Sequence, residues 1–298
     1  MARELTLAYP GDINTLTGGY IYDKRILAEL GALGWTTHTL SLDQRFPAVQ
    51  DTIKEQSARL LAEVATDRTL VIDGLALGAL GQYAKIIKAQ RPFVALVHHP
   101  LALESGIDPV TAKDLKQSEY EALSEAAHVI VTSQITKQTL IDQYSVTASH
   151  ITVVEPGVDR PAELAEMVPT KTSRSGQTTQ SVKLLSVGAL VPRKGVDVLI
   201  TALGQVADLD WQLDIVGDYH RAPAYTDEIN ALIQKLGLEQ KIKLLGAQAA
   251  EQLSRLYESA DVFVLASRYE GYGMAYTEAL AWGLPVDRPP RVARQPRR

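Results

Sequence analysis

Short apolar runs alternate along the chain with longer segments in which apolar residues recur every three or four positions. In the first half the short runs are residues 5–9, 34–40, 70–74, 92–97, 129–132 and 151–154. In the second half they are residues 182–190, 211–217, 241–246 and 261–266. The short runs predict buried strands, and the longer period predicts helices at residues 21–33, 49–64, 111–128, 226–236, 251–260 and 274–282.

The pattern stops between residues 163 and 181, where the chain is polar, rich in Ser and Thr and without periodicity. Such a composition is typical of a linker. We therefore predict a first domain at residues 1–162, a linker at 163–181 and a second domain at 182–286. Strand and helix alternate in both domains, which predicts two parallel sheets with helices on both faces, the doubly wound, Rossmann-like α/β class.

Composition narrows the classes of function. The chain has 298 residues, which is enough for two α/β domains. It has no Cys, which excludes disulfides and thiolate metal sites. It shows neither a signal peptide nor an apolar run long enough to cross a bilayer. We therefore expect a cytoplasmic protein.

The net charge of −5 is unevenly distributed. The last twelve residues contain five Arg and one Asp, so the rest of the chain carries −9. A body this acidic is a poor partner for nucleic acid, and we predict no nucleic-acid binding. The Arg-rich tail leaves open a peripheral contact with an anionic membrane surface.

The most informative stretch follows the predicted strand at residues 261–266. Its loop contains Gly271 and Gly273, and a helical pattern begins immediately afterwards. Backbone N–H groups and the positive end of a helix dipole at such a place favour a phosphate. Carboxylates bracket the loop, Glu270 before it and Glu278 in the helix, and carboxylates accept hydrogen bonds from sugar and ribose hydroxyls. The stretch predicts a cradle for a nucleotide sugar, although two solvated glutamates beside a glycine-capped helix would share its pattern.

Two strand ends in the first domain carry further candidate groups. Gly18 and Gly19 form a turn between the first strand and the first helix, where doubly wound sheets bind ligands. The dinucleotide fingerprint G-x-G-x-x-G is absent from this turn. His98 ends the strand at residues 92–97, and a histidine there can donate to a sugar hydroxyl or a phosphate oxygen at neutral pH. A plain tight turn and a histidine that only caps a strand remain alternatives.

The second domain opens with a strand followed by Arg193, Lys194 and Gly195. Cations beside a glycine turn and a helix start suit a diphosphate, because charge and fixed donors coincide there. Two solvated cations on a surface loop are the alternative interpretation.

These segments together resemble a known family. The segment at 270–286, EGYGMAYTEALAWGLPV, resembles the E-x7-E motif of the retaining glycosyltransferases of family 4, which have the GT-B fold. Residues 155–159, Glu-Pro-Gly-Val-Asp, resemble the P-N-G-V-D segment that closes the first domain in that family. The segment that begins at Gly188 resembles its G-R-L-x-x-x-K-G signature, with Ala189 in place of the Arg. The resemblance runs from about residue 5 to residue 286.

The resemblance implies transfer of a sugar from a nucleoside diphosphate to an acceptor with retention at the anomeric carbon. It implies catalytic roles for His98, near the reacting carbon, and for Glu270, which would hold the donor sugar, while Glu278 would bind the ribose. The other implied donor-binding residues are Gly18, Gly19, Arg193, Lys194, Gly271, Tyr272 and Gly273. The family generally needs no metal or cofactor, so we expect none. The acceptor, a carbohydrate, a lipid or another small molecule, stays open, as does the donor nucleotide.

Two other functions stay open at this point. One is a GT-B epimerase or phosphorylase, and the other is an inactive remnant that binds nucleotide sugar without turning it over. The stretch at 287–298, rich in Arg and Pro, favours the remnant, because its prolines cannot continue a helix or a central strand. We expect an incomplete second domain, a truncated or frameshifted chain, and weak or absent turnover.

Overall fold

The computed structural model describes residues 3–104, 106–159 and 181–287. The chain divides into two compact units, Met1–Pro156 and Gly157–Arg298, and each is described by itself. Residues 160–180, which include the predicted linker except Ser181, and residues 288–298 of the predicted tail lie outside the described residues.

The first unit is built on a six-stranded parallel sheet. Its strand order is β2-β1-β3-β4-β5-β6. Starting from β1, the chain adds β2 on one side and then adds β3 to β6 on the other side. Ligands in such sheets bind at the carboxyl ends of the strands where this direction changes, here between β1 and β3. The strands are β1 (Glu4–Pro10), β2 (Thr36–Leu42), β3 (Thr69–Asp73), β4 (Val94–Val97), β5 (His128–Val131) and β6 (Ile151–Val153).

Helices connect successive strands of the first unit. Several begin at a side chain that accepts a backbone N–H of the first turn, among them Thr17, Asp73, Asp108 and Ser133. The helices are α1 (Gly18–Ala32), α2 (Asp51–Ala62), α3 (Gly74–Leu80), α4 (Ala84–Gln90), α5 (Pro109–Glu125) and α6 (Gln134–Tyr144).

The apolar period of α1 predicts only part of its buried face. Ile21 and Leu33 share that period, yet their exposed fractions are 42% and 70%. Tyr20, Tyr22 and Asp23 are the buried residues of the helix. The rings of Tyr20 and Tyr22 pack in an apolar cluster with residues of β1, β3 and β4. The hydroxyl of Tyr20 donates to a carbonyl of β1, and that of Tyr22 donates to the carbonyl that follows β6. Polar residues therefore occupy this part of the buried face.

The second unit is a five-stranded parallel sheet of order β11-β10-β7-β8-β9, and its direction changes between β7 and β10. Its strands are β7 (Val182–Val187), β8 (Trp211–Val216), β9 (Ile242–Gly246), β10 (Val262–Val264) and β11 (Val286–Asp287). Its helices are α7 (Val196–Gly204), α8 (Pro223–Lys235), α9 (Ala250–Ser259) and α10 (Met274–Ala281). The core on one face packs around Ile200, Leu213 and Ile229, and on the other around Phe263 and Leu185.

The predicted α/β class with two doubly wound, Rossmann-like sheets is confirmed. Three elements lack a sequence signal. Helix α3 is buried on nearly every side, so its residues show no alternation of apolar and polar positions. Helix α4 follows it after a single 3₁₀ turn. Strand β11 includes Asp287, which we assigned to the tail but which pairs with Val264 of β10.

Within the described parts of the chain, none of the helices has both the length and the apolar character that crossing a bilayer requires.

Helix α5 carries a buried carboxyl group that anchors the segment after β4. Both oxygens of Glu119 lie within hydrogen-bond reach of the amide of Leu101, at 3.1 and 3.3 Å. Burial raises the pKa of Glu119 to about 8. A carboxyl whose pKa is higher in the folded than in the unfolded chain favours folding at low pH, and this contribution is lost as the pH rises to about 8.

We expect the unfolding free energy of the protein to fall as the pH rises from about 5 to 8. In Glu119→Gln, which keeps an acceptor for Leu101 but cannot ionise, this fall should be smaller by at least about 1.4 kcal/mol, the equivalent of one pKa unit. Urea unfolding at several pH values measures the effect, with the exposed Glu63→Gln as control. An identical pH dependence in both variants would show that Glu119 does not titrate as its burial requires.

Candidate functional site

Candidate groups lie at the carboxyl ends of the strands in each unit, at the point where the strand order changes direction. In the second unit they follow β7 and β10, and in the first they follow β1, β3 and β4. The two clusters belong to separate units, so His98 and the residues of the second unit are treated apart.

The loops after β7 and β10 meet backbone to backbone. A 3₁₀ turn, Pro192–Lys194, carries the cations Arg193 and Lys194. It ends at Gly195, whose φ is +64°. A Cβ at Gly195 would lie 2.0 Å from the carbonyl oxygen of Ala266, which no rearrangement of a side chain could relieve. The amide of Arg268 also donates to the carbonyl of Arg193 at 2.8 Å. Glycine at position 195 is therefore a condition for the approach of the two loops.

Glu270 contacts both cations of the first loop, Arg193 and Lys194. Lys194 Nζ lies 2.7 Å from Glu270 Oε1, and Arg193 Nη1 lies 3.4 Å from Oε2. The hydroxyl of Ser267 donates to Oε1 at 2.6 Å. The exposed fractions of the three charged side chains are only 15–16%, so little water screens them. Burial alone would raise the pKa of Glu270, but the charges of Lys194 and Arg193 outweigh it and lower the pKa.

A second ion pair fixes the same two loops from the side. Arg268 makes a bidentate contact with Asp197, with N–O distances of 2.9 and 2.5 Å. The hydroxyl of Tyr225 donates to Asp197 Oδ1 at 2.6 Å. The hydrogen bond from Arg268 lowers the pKa of Asp197 to about 2. Because Asp197 lies in the first turn of α7, this contact ties the start of that helix to the loop after β10.

The glycine loop leads into α10 as predicted. Gly273 precedes the helix with a φ of +96°, a conformation that favours glycine, and Gly271 and Tyr272 lie between it and Glu270. Within the helix Glu278 accepts the hydroxyl of Tyr257 at 2.9 Å.

Tyr257 is itself held by aromatic packing. Its ring stacks on Phe263 and on Trp282, with centroid distances of 6.2 Å in both cases. Burial raises the pKa of Tyr257, so the hydroxyl stays a donor. Tyr257 therefore fixes one oxygen of the Glu278 carboxylate, the group for which the family resemblance implies ribose binding.

In the first unit His98 packs against the turn at the start of α1. Gly18 begins that helix, and a Cβ on Gly19 would lie 3.1 Å from Cδ2 of the His98 ring. The ring of Tyr22 meets the imidazole edge-on, with centroids 5.4 Å apart. The absence of a side chain at Gly19 thus makes room for the histidine.

Two carboxylates that the sequence did not single out surround His98. Its Nε2 lies 3.1 Å from Asp23 Oδ1 and 3.4 Å from Asp73 Oδ2. The three residues offer ligand-type atoms that all lie within 4.8 Å of one another. Because Nε2 bridges both carboxylates, we interpret the group as a hydrogen-bonded ion-pair cluster rather than a metal centre. Asp73 is the last residue of β3, and its place at the carboxyl end of a parallel strand could have indicated a site residue. Asp23 lies inside α1, where the sequence carries no such indication.

Two family models match the chain, one for each half. The model described as Glycosyltransferase Family 4 matches residues 33–160, and the model described as Glycosyl transferases group 1 matches residues 169–286. The chain belongs to the family 4 glycosyltransferases. This confirms the family that the sequence motifs indicated.

Curated members of the glycosyltransferase family align with part of this chain. A mannosylfructose-phosphate synthase from Agrobacterium fabrum is 32% identical over 170 residues, which is 53% of this chain and 36% of that protein. A D-inositol 3-phosphate glycosyltransferase from Segniliparus rotundus is 30% identical over 220 residues, 69% of this chain and 48% of that protein. The chain thus spans less than half the length of these relatives.

Solved glycosyltransferase structures share the fold. Sucrose-phosphate synthase from Thermosynechococcus elongatus superposes with a TM-score of 0.75 at 19% identity, over 96% of this chain and 81% of that one. HepE from Anabaena, in complex with UDP and glucose, gives a TM-score of 0.68 at 21% identity, over 95% and 80%. The fold of this family member is therefore GT-B.

We expect Glu270→Gln to bind inorganic diphosphate more tightly than the wild type, by about threefold to tenfold, or ~0.7–1.4 kcal/mol. The reason is that the substitution removes the anion that competes for Lys194 and Arg193. Calorimetric titration at low ionic strength measures the affinity. The exposed Glu258→Gln, which changes the net charge equally, is the control. Weaker binding by Glu270→Gln than by both the wild type and the control would contradict a competing role.

Proposed function

We propose that this protein is a glycosyltransferase that moves a sugar from a nucleoside diphosphate to a hydroxyl acceptor with retention of the anomeric configuration. The observation that carries the proposal is the pairing of Lys194 and Arg193 with the glycine loop at the carboxyl ends of β7 and β10. Cations, backbone donors and a helix start at one switch point suit the diphosphate of such a donor.

The proposed role of the cations follows from the charge that develops during transfer. When the bond between the anomeric carbon and the β-phosphate oxygen breaks, that oxygen gains negative charge. Preorganised donors lower the barrier most when they face the atom that becomes charged. Lys194 and Arg193 would serve as these donors, with the N–H groups of residues 271–273. Glu270 already holds both cations beside the glycine loop, so they would exchange this carboxylate for the diphosphate when the donor binds.

The roles of the remaining residues complete the proposal. Glu278, held by Tyr257, would accept the ribose hydroxyls, and Glu270 would contact the donor sugar once the diphosphate engages the cations. His98 would donate to an oxygen of the sugar near the reacting carbon. In this proposal the two cations compensate the charge of the diphosphate without a metal ion.

The activities and ligands named for relatives support the substrate class. HepE was solved with UDP and glucose, and with UDP-glucose, which supports a nucleoside diphosphate sugar as donor. The names D-inositol 3-phosphate glycosyltransferase and mannosylfructose-phosphate synthase support a polyhydroxylated acceptor of the carbohydrate class. We propose the same classes for this chain, in a cytoplasmic setting, with a lipid or other small molecule as the alternative acceptor.

Labelled nucleotide sugars test the proposed reaction. The purified protein is incubated with each donor, with and without a panel of sugar, sugar phosphate and lipid acceptors. Label in an acceptor whose new linkage keeps the anomeric configuration supports the proposal. Conversion of the donor without an acceptor would indicate an epimerase instead, and tight donor binding without any turnover would indicate a remnant.

Lys194→Ala tests the site independently of turnover. Losing a charge-assisted hydrogen bond should weaken the binding of free nucleoside diphosphates by about 1.5–3 kcal/mol. Lys235→Ala removes an exposed cation from the same unit and is the matched control. Calorimetry gives both affinities. Equal affinities for the two variants would mean that Lys194 does not contact the diphosphate.

A further inference from the structure

The cluster of His98, Asp23 and Asp73 contains more buried polar contacts than the binding of a sugar hydroxyl by His98 would require. Asp23 comes from α1 and Asp73 from the end of β3, and both are buried. Both carboxylates lie within reach of a single ring atom, Nε2. A nitrogen within reach of two carboxylates can donate its proton to either of them. A buried carboxylate pair without a cation would be costly, so the arrangement favours the charged imidazolium over the neutral ring.

The surroundings restrain both the main chain and the ring of His98. The carbonyl oxygen of His98 lies within reach of the hydroxyls of Thr132 and Thr136, at 3.3 and 3.4 Å. Gly19 and Tyr22 confine the imidazole from the side of α1. Among the residues that the structure describes, none forms a hydrogen bond with Nδ1, and one fifth of the side chain is exposed.

We propose that Asp23 and Asp73 are positioning residues for His98. They accept the hydrogen bond from its Nε2–H, so that the opposite ring atom, Nδ1–H, is a charged donor to a sugar or phosphate oxygen of the substrate. This role rests on the proposed sugar transfer, because it concerns the same substrate. The geometry of the cluster, by contrast, can be tested without any substrate.

The charge of His98 should then persist over the neutral pH range. Burial alone lowers the pKa of His98, but the hydrogen bonds and charges of Asp23 and Asp73 raise it to about 10. The titratable groups that face the ring are these two carboxylates and Tyr22, while Tyr20 lies beside the carboxylates. The hydroxyls of Thr132 and Thr136, on the side of β5 and α6, do not titrate.

Nuclear magnetic resonance of the full chain tests the charge directly. The protein contains six His residues, and the signal absent from His98→Gln assigns the ring of interest. In the wild type this signal should not titrate between about pH 5.5 and 8.5. In Asp23→Asn it should titrate there, because the pKa falls towards the ordinary value of about 6.5. Asp114→Asn, an exposed carboxylate of the same unit, should leave the signal unchanged.

A wild-type His98 that titrates near 6.5, or equal behaviour of Asp23→Asn and Asp114→Asn, would overturn the proposal. If Asp23→Asn does not fold, as judged by circular dichroism, Asp73→Asn takes its place, since asparagine keeps an oxygen to cap α3.

The pH profile of transfer gives the second readout. Between about pH 6.5 and 9, kcat/KM of Asp23→Asn should fall at least about tenfold relative to the wild type, because a histidine of ordinary pKa loses its charge there. A parallel profile in both proteins would overturn the donor role. Absence of transfer in the wild type, with the His98 titration as expected, would refute the proposed function but not the positioning of His98.

Discussion

The candidate site of the second unit depends on one largely buried cluster of three charged groups. Glu270 stays ionised despite its burial because Lys194 and Arg193 lie against its two oxygens. This contact links the loop after β7 to the loop after β10, where the sheet changes direction. It forms only because Gly195 lets the two backbones approach. A diphosphate, like the Glu270 carboxylate, is an anion. A donor would therefore engage the same two cations that hold the loops together.

The first unit contains a similar arrangement in which the signs of the charges are exchanged. There a single cationic ring, His98, lies between two buried carboxylates at the corresponding end of its sheet. In both units a charged group that burial would otherwise neutralise is kept ionised by two opposite charges. Each cluster therefore has a fixed geometry before any ligand binds, which is the condition for electrostatic preorganisation.

The sequence predicts most of the fold, because parallel strands produce clear apolar runs and the helices between them are amphipathic. It fails where burial removes that contrast, as in α3 (Gly74–Leu80). The motifs place Lys194 and Glu270 in loops that the structure brings together. Asp23, Asp197 and Arg268 carry no sequence signal, because their partners lie 71 or 75 residues away and only the folded chain defines the pairs. Contacts of this kind depend on topology rather than on local pattern.

We propose that Lys194 and Arg193, in the loop after β7, bind the diphosphate of a nucleotide. The direct test is calorimetric titration of the full chain with the mono- and diphosphates of uridine, guanosine and adenosine. For the preferred base, we predict that the diphosphate binds at least about tenfold more tightly than the monophosphate, a difference of ~1.4 kcal/mol. The preference should shrink as salt screens the charges. Equal affinities for mono- and diphosphate with every base would show that these cations do not bind the diphosphate.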